Sequence, residues 1–244
     1  MPILVVLVRL FERFLYIRNT RQNGLHPSVQ VSIRTQSHNT AVYQVTHKQF
    51  SMSTAALERP KLLLLGDSLT QTSMEGWGGG LAHRYQRRAD VLNRGMSGYN
   101  TRWYIEYAQH SGIWYEPGKI ALTTIFFGAN DASLADQNPH HHVPLDEYQA
   151  NLKVLVAKTQ ESFPESQILL ITPPPVHHEQ RLIFQKQRYG DKATGILERT
   201  MESAGKYAEA CKAVAKELDL HVLDLYTTMD YISTKRVMIL SWNI

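Results

Sequence analysis

The stretch Lys61–Gln71, KLLLLGDSLTQ, places four leucines directly before Gly66, Asp67 and Ser68. A short apolar run that ends in small polar residues is typical of a buried strand that enters a tight turn. Ser68 would then lie at a sheet edge, where a serine can act as a nucleophile or simply belong to the turn. The polar residues that follow the other strands decide between these interpretations.

Further short apolar runs follow this one along the chain, with amphipathic stretches between them. The runs that predict strands are Leu62–Leu65, Val91–Asn93, Ile120–Phe127, Ile168–Ile171 and Val222–Leu225. Apolar residues at three- and four-residue steps predict helices over Asp146–Phe163 and Leu197–Leu218. Strands that are apolar on both faces and alternate with helices indicate a parallel sheet covered on both sides. The fold class predicted from the sequence is therefore α/β.

The residues just after the first three strands share one chemistry. Gly98 lies in NRGMSGYNT (93–101) after the second strand, and Asn130 lies in GAND (128–131) after the third. Ligands of open parallel sheets bind at the carboxyl ends of the strands. There Ser68 and Gly98 can offer backbone N–H groups and Asn130 a side-chain amide to an oxyanion. Each residue alone is more typical of a turn or a cap, whereas the set of three favours acyl transfer, with Asp67 in a supporting role.

The three blocks, GDSLT at 66–70, the segment around Gly98 and GAND at 128–131, resemble those of the GDSL or SGNH hydrolases. The detailed sequence over about residues 61–226 resembles the isoamyl acetate-hydrolysing esterase branch of that family. The resemblance implies a flavodoxin-like, three-layer α/β/α fold with a five-stranded parallel sheet. It also implies hydrolysis of short to medium acyl esters without metal or cofactor. Ser68 would be the nucleophile, with Gly98 and Asn130 completing the oxyanion hole. The expected partner is a small-molecule ester, and a homo-oligomer stays open.

The family's fourth block, an Asp-x-x-His whose histidine takes the serine proton, has no counterpart in this sequence. None of the 11 histidines follows an aspartate by three residues. We also interpret the ending YISTKRVMILSWNI as lacking the family's final helix, so that the domain is C-terminally incomplete. His177 and His178, which follow the fourth strand, are the candidate substitute bases. The alternative hypothesis is an impaired or inactive SGNH domain that retains an ester- or partner-binding pocket.

Residues 1–51 carry six Lys or Arg residues and one acid, whereas the rest of the chain is nearly neutral. We predict a basic, disordered or partly helical extension over residues 1–51 and the esterase-like domain over residues 52–244. This distribution argues against a nucleic-acid-binding face on the domain. Charges at Arg9, Glu12 and Arg13 interrupt the apolar opening and argue against membrane insertion. The predicted location is cytoplasmic, with a mitochondrial transit peptide as the alternative.

Three further features of the sequence are interpreted as structural and not as parts of the catalytic site. Trp77 and the glycines that follow it are predicted to form a flexible mouth before a helix that starts near Leu81. The run His140–His142 is assigned to a solvated loop, because adjacent histidines rarely converge on one metal ion. Cys211, the single cysteine, lies on the apolar stripe of its helix and is assigned to the core.

Overall fold

A computed structural model of the protein describes residues 59–230, so the predictions for residues 1–51 and for the last residues of the chain lie outside the described part. The strands are β1 (Lys61–Gly66), β2 (Asp90–Gly95), β3 (Ile120–Phe126), β4 (Gln167–Ile171) and β5 (His221–Leu223). All four pairings are parallel, in the order β2-β1-β3-β4-β5. This arrangement confirms the predicted five-stranded α/β fold.

Helices cover both faces of the sheet. They are α1 (Ser68–Gln71), α2 (Trp77–Tyr85), α3 (Thr101–His110), α4 (Leu145–Ser162), α5 (His178–Tyr189) and α6 (Met201–Glu217). Within residues 59–230, no helix combines the length and the apolar character that crossing a membrane requires.

The four leucines of β1 divide between the two cores. Leu63 and Leu65 pack in the cluster that contains buried residues of α3, α4 and α6, whereas Leu62 and Leu64 pack with residues of α2 on the opposite face. Successive side chains of a strand point to opposite faces, so a continuous apolar run is what a doubly covered central strand requires. Cys211 is buried in the first cluster, as predicted, and burial raises the pKa of its thiol to about 12.

The predicted flexible mouth before Leu81 is wrong, because α2 begins four residues earlier at Trp77. The Trp77 indole N–H donates to the carbonyl of Leu69 at 3.0 Å. Its ring also packs edge-on against Phe126, with 6.3 Å between the ring centroids. These contacts attach the start of the helix to α1 and to the end of β3, which the three following glycines alone do not suggest.

Two element ends differ from the sequence prediction because of capping. The last long helix begins at Met201 and not near 197, since Thr200 caps it in a reciprocal capping box. Strand β5 ends at Leu223 and not at 225, where helical backbone over 225–230 already follows. The Asp224 carboxylate accepts the N–H of Thr227 at 3.0 Å, which starts that helical turn.

Candidate active site

The three predicted site turns leave the sheet at one edge. Strand β1 lies between β2 and β3, and its last residue, Gly66, is in register with Gly95 and Phe126. Ser68 follows two residues after β1, Gly98 three residues after β2 and Asn130 four residues after β3. Because all three strands are parallel, the sheet topology brings these turns to the same side of the domain.

The turn after β1 is held by Asp67 and by close packing at Gly66. The Asp67 carboxylate accepts the N–H of Leu69 at 2.8 Å and so caps α1, whose first residue is the half-buried Ser68. A side chain at Gly66 would lie 2.7 Å from the carbonyl oxygen of Phe126. Only glycine therefore lets β1 and β3 approach this closely just before the serine.

The turn after β2 is tied to the first turn by backbone donors. The N–H of Met96 donates to the Gly66 carbonyl at 2.9 Å, and the N–H of Ser97 donates to the side chain of Gln71 at 2.6 Å. Gly98 has φ of +83°, in the region that favours glycine. The backbone conformation of this turn therefore favours glycine at position 98, the residue whose backbone N–H the sequence analysis proposed as an oxyanion donor.

The turn after β3 is tied to the second turn by two consecutive side chains. Asn130 donates an amide hydrogen to the carbonyl of Tyr99 at 2.8 Å, which leaves its second amide hydrogen for another acceptor. Asp131 accepts the N–H of Thr101 at 2.9 Å and also the hydroxyl of that residue. Asn130 and Asp131 therefore set the position of the Gly98 turn relative to β3.

Two buried carboxyl groups lie beneath this edge. Burial raises the pKa of Asp67 to about 7, against the attraction of Arg199, and raises the pKa of Asp131 to about 6, against hydrogen bonds from Thr101. In the described part of the chain, one oxygen of each carboxyl group lacks a hydrogen-bond partner. A proton on either group relieves part of the desolvation cost.

Replacing Asp67 by asparagine is expected to change how stability depends on pH. In the wild type the folded state keeps the Asp67 proton up to pH about 7, whereas the unfolded chain loses it near pH 4, so the free energy of unfolding falls between these values. Asparagine does not titrate and still accepts from Leu69. The free energy of unfolding of Asp67→Asn relative to wild type should rise by on the order of 4 kcal/mol from pH 4 to pH 8.

Urea unfolding at several pH values measures this difference, with Asp136→Asn, a substitution of an exposed aspartate, as the matched control. A constant difference between Asp67→Asn and wild type across this range would contradict the raised pKa of Asp67.

A mostly apolar cleft of about 310 Å³ opens beside the first and third turns. Leu69 and Ala129, which lie on its wall, are the chain neighbours of Ser68 and Asn130. Its other lining residues are Ala132, Pro174, Pro175, Val176, His177, Gln180, Arg181, Phe184, Arg199 and Ala204. The cleft can therefore hold a small ligand next to the predicted nucleophile and amide donor.

The two candidate substitute bases occupy different places. His177 lines the cleft and accepts the N–H of Gln180 through Nδ1 at 3.4 Å, whereas His178 accepts the N–H of Met201 through Nε2 at 3.2 Å. A neutral imidazole has one acceptor nitrogen. Each ring therefore has to give up its backbone bond before it can take a proton from a serine.

The interpretation of His140–His142 as a solvated loop is only partly right. His140 is exposed, whereas His141 is half-buried, with its ring centroid 5.4 Å from that of Trp103. The Nε2 atom of His141 lies 3.9 Å from the position that a Cβ atom would occupy at Gly98. A hydrogen bond to the His141 backbone explains this placement, since the side-chain amide of Asn100 donates to the His141 carbonyl at 3.0 Å. Among residues 59–230, no three histidine, cysteine or acidic side chains form a group that could hold a metal ion.

One residue of the site, Arg199, was not predicted from the sequence. Its guanidinium donates to the Asn130 side-chain oxygen at 3.3 Å across 69 residues of chain, and it also lines the cleft. Arg199 lies near the start of the predicted helix Leu197–Leu218 but not on its apolar stripe, so in sequence it resembles any surface arginine. Only the fold shows that it reaches the third turn.

Known proteins resemble this chain over about 70% of its length. The model of the GDSL-like lipase/acylhydrolase family matches residues 64–238. A GDSL esterase/lipase of Arabidopsis thaliana is 44% identical over 180 residues, which are 71% of this chain and 73% of that protein. The isoamyl acetate-hydrolyzing esterase 1 homolog of Homo sapiens is 45% identical over 188 residues, which are 72% of this chain and 70% of that protein.

Solved structures share the fold. A lipase/acylhydrolase from Enterococcus faecalis aligns with a TM-score of 0.50 and 25% identity over 70% of this chain and 79% of its own. An acetylxylan esterase from Geobacillus stearothermophilus aligns with a TM-score of 0.54 and 21% identity over 72% of this chain and 80% of its own. At this identity the second likeness concerns the fold alone.

Proposed function

Since this chain belongs to the GDSL-like lipase/acylhydrolase family, we propose that it hydrolyses carboxylic esters of short to medium acyl chains through an acyl-enzyme on Ser68. The observation that carries the proposal is the shared sheet edge, where Ser68, Gly98 and Asn130 follow three adjacent parallel strands. Hydrogen bonds from Met96 to Gly66 and from Asn130 to Tyr99 hold the three turns together. A preorganised set of donors beside a serine is what acyl transfer requires.

In the proposed mechanism the Ser68 hydroxyl oxygen attacks the ester carbonyl carbon while its proton passes to a base. The carbonyl π electrons move to oxygen, and the resulting oxyanion accepts hydrogen bonds from the N–H groups of Ser68 and Gly98 and from the second amide hydrogen of Asn130. Collapse of the intermediate breaks the bond to the alcohol, which leaves with the proton. Water then attacks the acyl-serine in the same way and releases the carboxylic acid.

The cleft supports a small ester as the substrate. Its volume is about 310 Å³ and its lining is mostly apolar, which suits a short to medium acyl or alcohol group. Relatives named for isoamyl acetate hydrolysis favour acetate esters as the first substrates to test. Leu69 and Ala129 would contact the part of the ester next to the reacting carbonyl.

For the base we place His177 ahead of His178. The His177 imidazole lines the cleft, and its bond from Gln180 is long at 3.4 Å, so loss of that bond is the smaller cost. The proton would then sit on Nδ1 and leave Nε2 as the acceptor for the serine proton. His178 instead holds the first backbone N–H of α6.

Acyl trapping tests the proposal. The full-length chain is mixed with p-nitrophenyl acetate, quenched in acid and analysed by mass spectrometry after proteolysis. We expect one acetyl group on the peptide that contains Ser68, and slower labelling of the His177→Ala variant. Acetylation elsewhere, or none at all, would overturn the serine mechanism and favour a domain that binds esters without cleaving them.

A further inference from the structure

We propose that Arg199 is a positioning residue that holds the Asn130 amide in the orientation needed to donate to the oxyanion, an inference that rests on the function proposed above. Arg199 Nη2 lies 3.3 Å from Asn130 Oδ1. The same guanidinium lines the cleft beside Leu69 and Ala129. No bond to the substrate is assigned to it, because its effect passes through Asn130.

The contact decides which way the Asn130 amide faces. With Oδ1 toward Arg199 and Nδ2 toward the Tyr99 carbonyl, both ends of the amide meet complementary partners. A rotation of 180° would set Oδ1 against a carbonyl oxygen and the amide N–H₂ against the guanidinium. Arg199 thereby opposes the rotamer that would turn the donor away from the oxyanion.

The backbone and an acidic neighbour bring Arg199 to this place. The N–H of Leu134, just beyond the third turn, donates to the carbonyl of Glu198 at 2.7 Å. The Glu198 side chain pairs with Arg181 and Gln185 of α5, and one of its oxygens lies 3.8 Å from Arg199 Nε. The segment before α6 is thus fastened both to the Asn130 turn and to the helix that borders the cleft.

The charge of Arg199 is poorly compensated for a buried group. Only 14% of its side chain is exposed, desolvation lowers the pKa of its guanidinium, and among described residues its Nε has no hydrogen-bond partner. Glu198, which lies 3.8 Å from Arg199 Nε, is shared with Arg181, and the other acids that attract Arg199 are the buried Asp67 and Asp131. Burying a cation with incomplete pairing costs stability, which a functional contact with Asn130 explains.

The kinetic test is a double-mutant cycle in the full-length chain with p-nitrophenyl acetate. Arg199→Met should lower kcat about tenfold to 100-fold, the loss typical of a misplaced catalytic group, and leave KM within about threefold of the wild type. In the Asn130→Ala background the same substitution should change kcat by less than about threefold. Arg88→Met, a substitution of an exposed arginine, is the matched control. Equal losses in both backgrounds, or an effect on KM alone, would overturn the proposal.

A second readout does not depend on turnover. In two-dimensional ¹H–¹⁵N spectra the side-chain amide pair of Asn130 is assigned by its absence from Asn130→Ala. We expect Arg199→Met to shift this pair, and Arg88→Met to leave it in place. An unchanged position of the Asn130 signals in Arg199→Met would overturn the proposal. If the signals shift but the chain shows no Ser68-dependent turnover, the positioning of Asn130 by Arg199 is supported and the proposed esterase function is not. If Arg199→Met lacks a dispersed spectrum, Arg199→Gln replaces it, since glutamine is too short to reach Asn130.

Discussion

Ser68→Ala is expected to abolish the burst of p-nitrophenolate and to bring turnover down to the residual level of a site without a nucleophile. Loss of a triad member leaves at most about 10³–10⁴-fold acceleration over water, from the oxyanion donors and binding alone. Removing the hydroxyl leaves the N–H of residue 68, so the fold of the turn and one proposed donor persist. Stopped-flow and steady-state assays of the full-length chain measure both effects.

Ser111→Ala is the matched control, because Ser111 is the C-cap of α3 and its hydroxyl bonds only to neighbouring backbone, donating to the carbonyl of Ala108 at 3.3 Å and accepting the N–H of Ile113 at 3.4 Å. Turnover that is the same in Ser68→Ala and wild type would exclude a serine acyl-enzyme. The His177→Ala/His178→Ala variant then tests the base. A fall of its turnover to the level of Ser68→Ala would show that one of these two histidines is the base.

Asn130→Ala is expected to lower kcat by about 10²–10³-fold with a much smaller change in KM, the usual effect of removing one oxyanion donor. The reason is that the amide hydrogen of Asn130 would meet an oxygen that carries charge only in the transition state. Initial rates over a range of p-nitrophenyl acetate concentrations separate the two parameters. The substitution also removes the bond to Tyr99, so a thermal unfolding curve is recorded alongside.

The control for the amide is Gln137→Ala, which changes an exposed residue of the same connection. An Asn130→Ala variant with unchanged kcat would contradict the donor role of Asn130 and, with it, the role proposed for Arg199. A loss confined to KM would instead place Asn130 among residues that bind the substrate before reaction.

Local sequence was sufficient for the strands and for the order of the three turns. The four leucines of β1 specify a strand covered on both faces, because a parallel sheet between two helical layers has no polar face. The same logic located β2, β3 and β4, with ends that differ by a few residues. The ends that were wrong, at α2, α6 and β5, depend on caps and on an indole contact, which are made by one or two side chains outside any periodic pattern.

What the sequence by itself determined is therefore the α/β class, the family resemblance and the positions of Ser68, Gly98 and Asn130 after their strands. Only the tertiary structure decided that Arg199 meets Asn130, that Asp67 and Asp131 are buried acids, and that His178 accepts the first backbone N–H of α6 while His177 lines the cleft. Periodicity and turn chemistry act over a few neighbouring residues, so they can be read from the chain. Burial and contacts between residues 69 positions apart follow from how the elements pack.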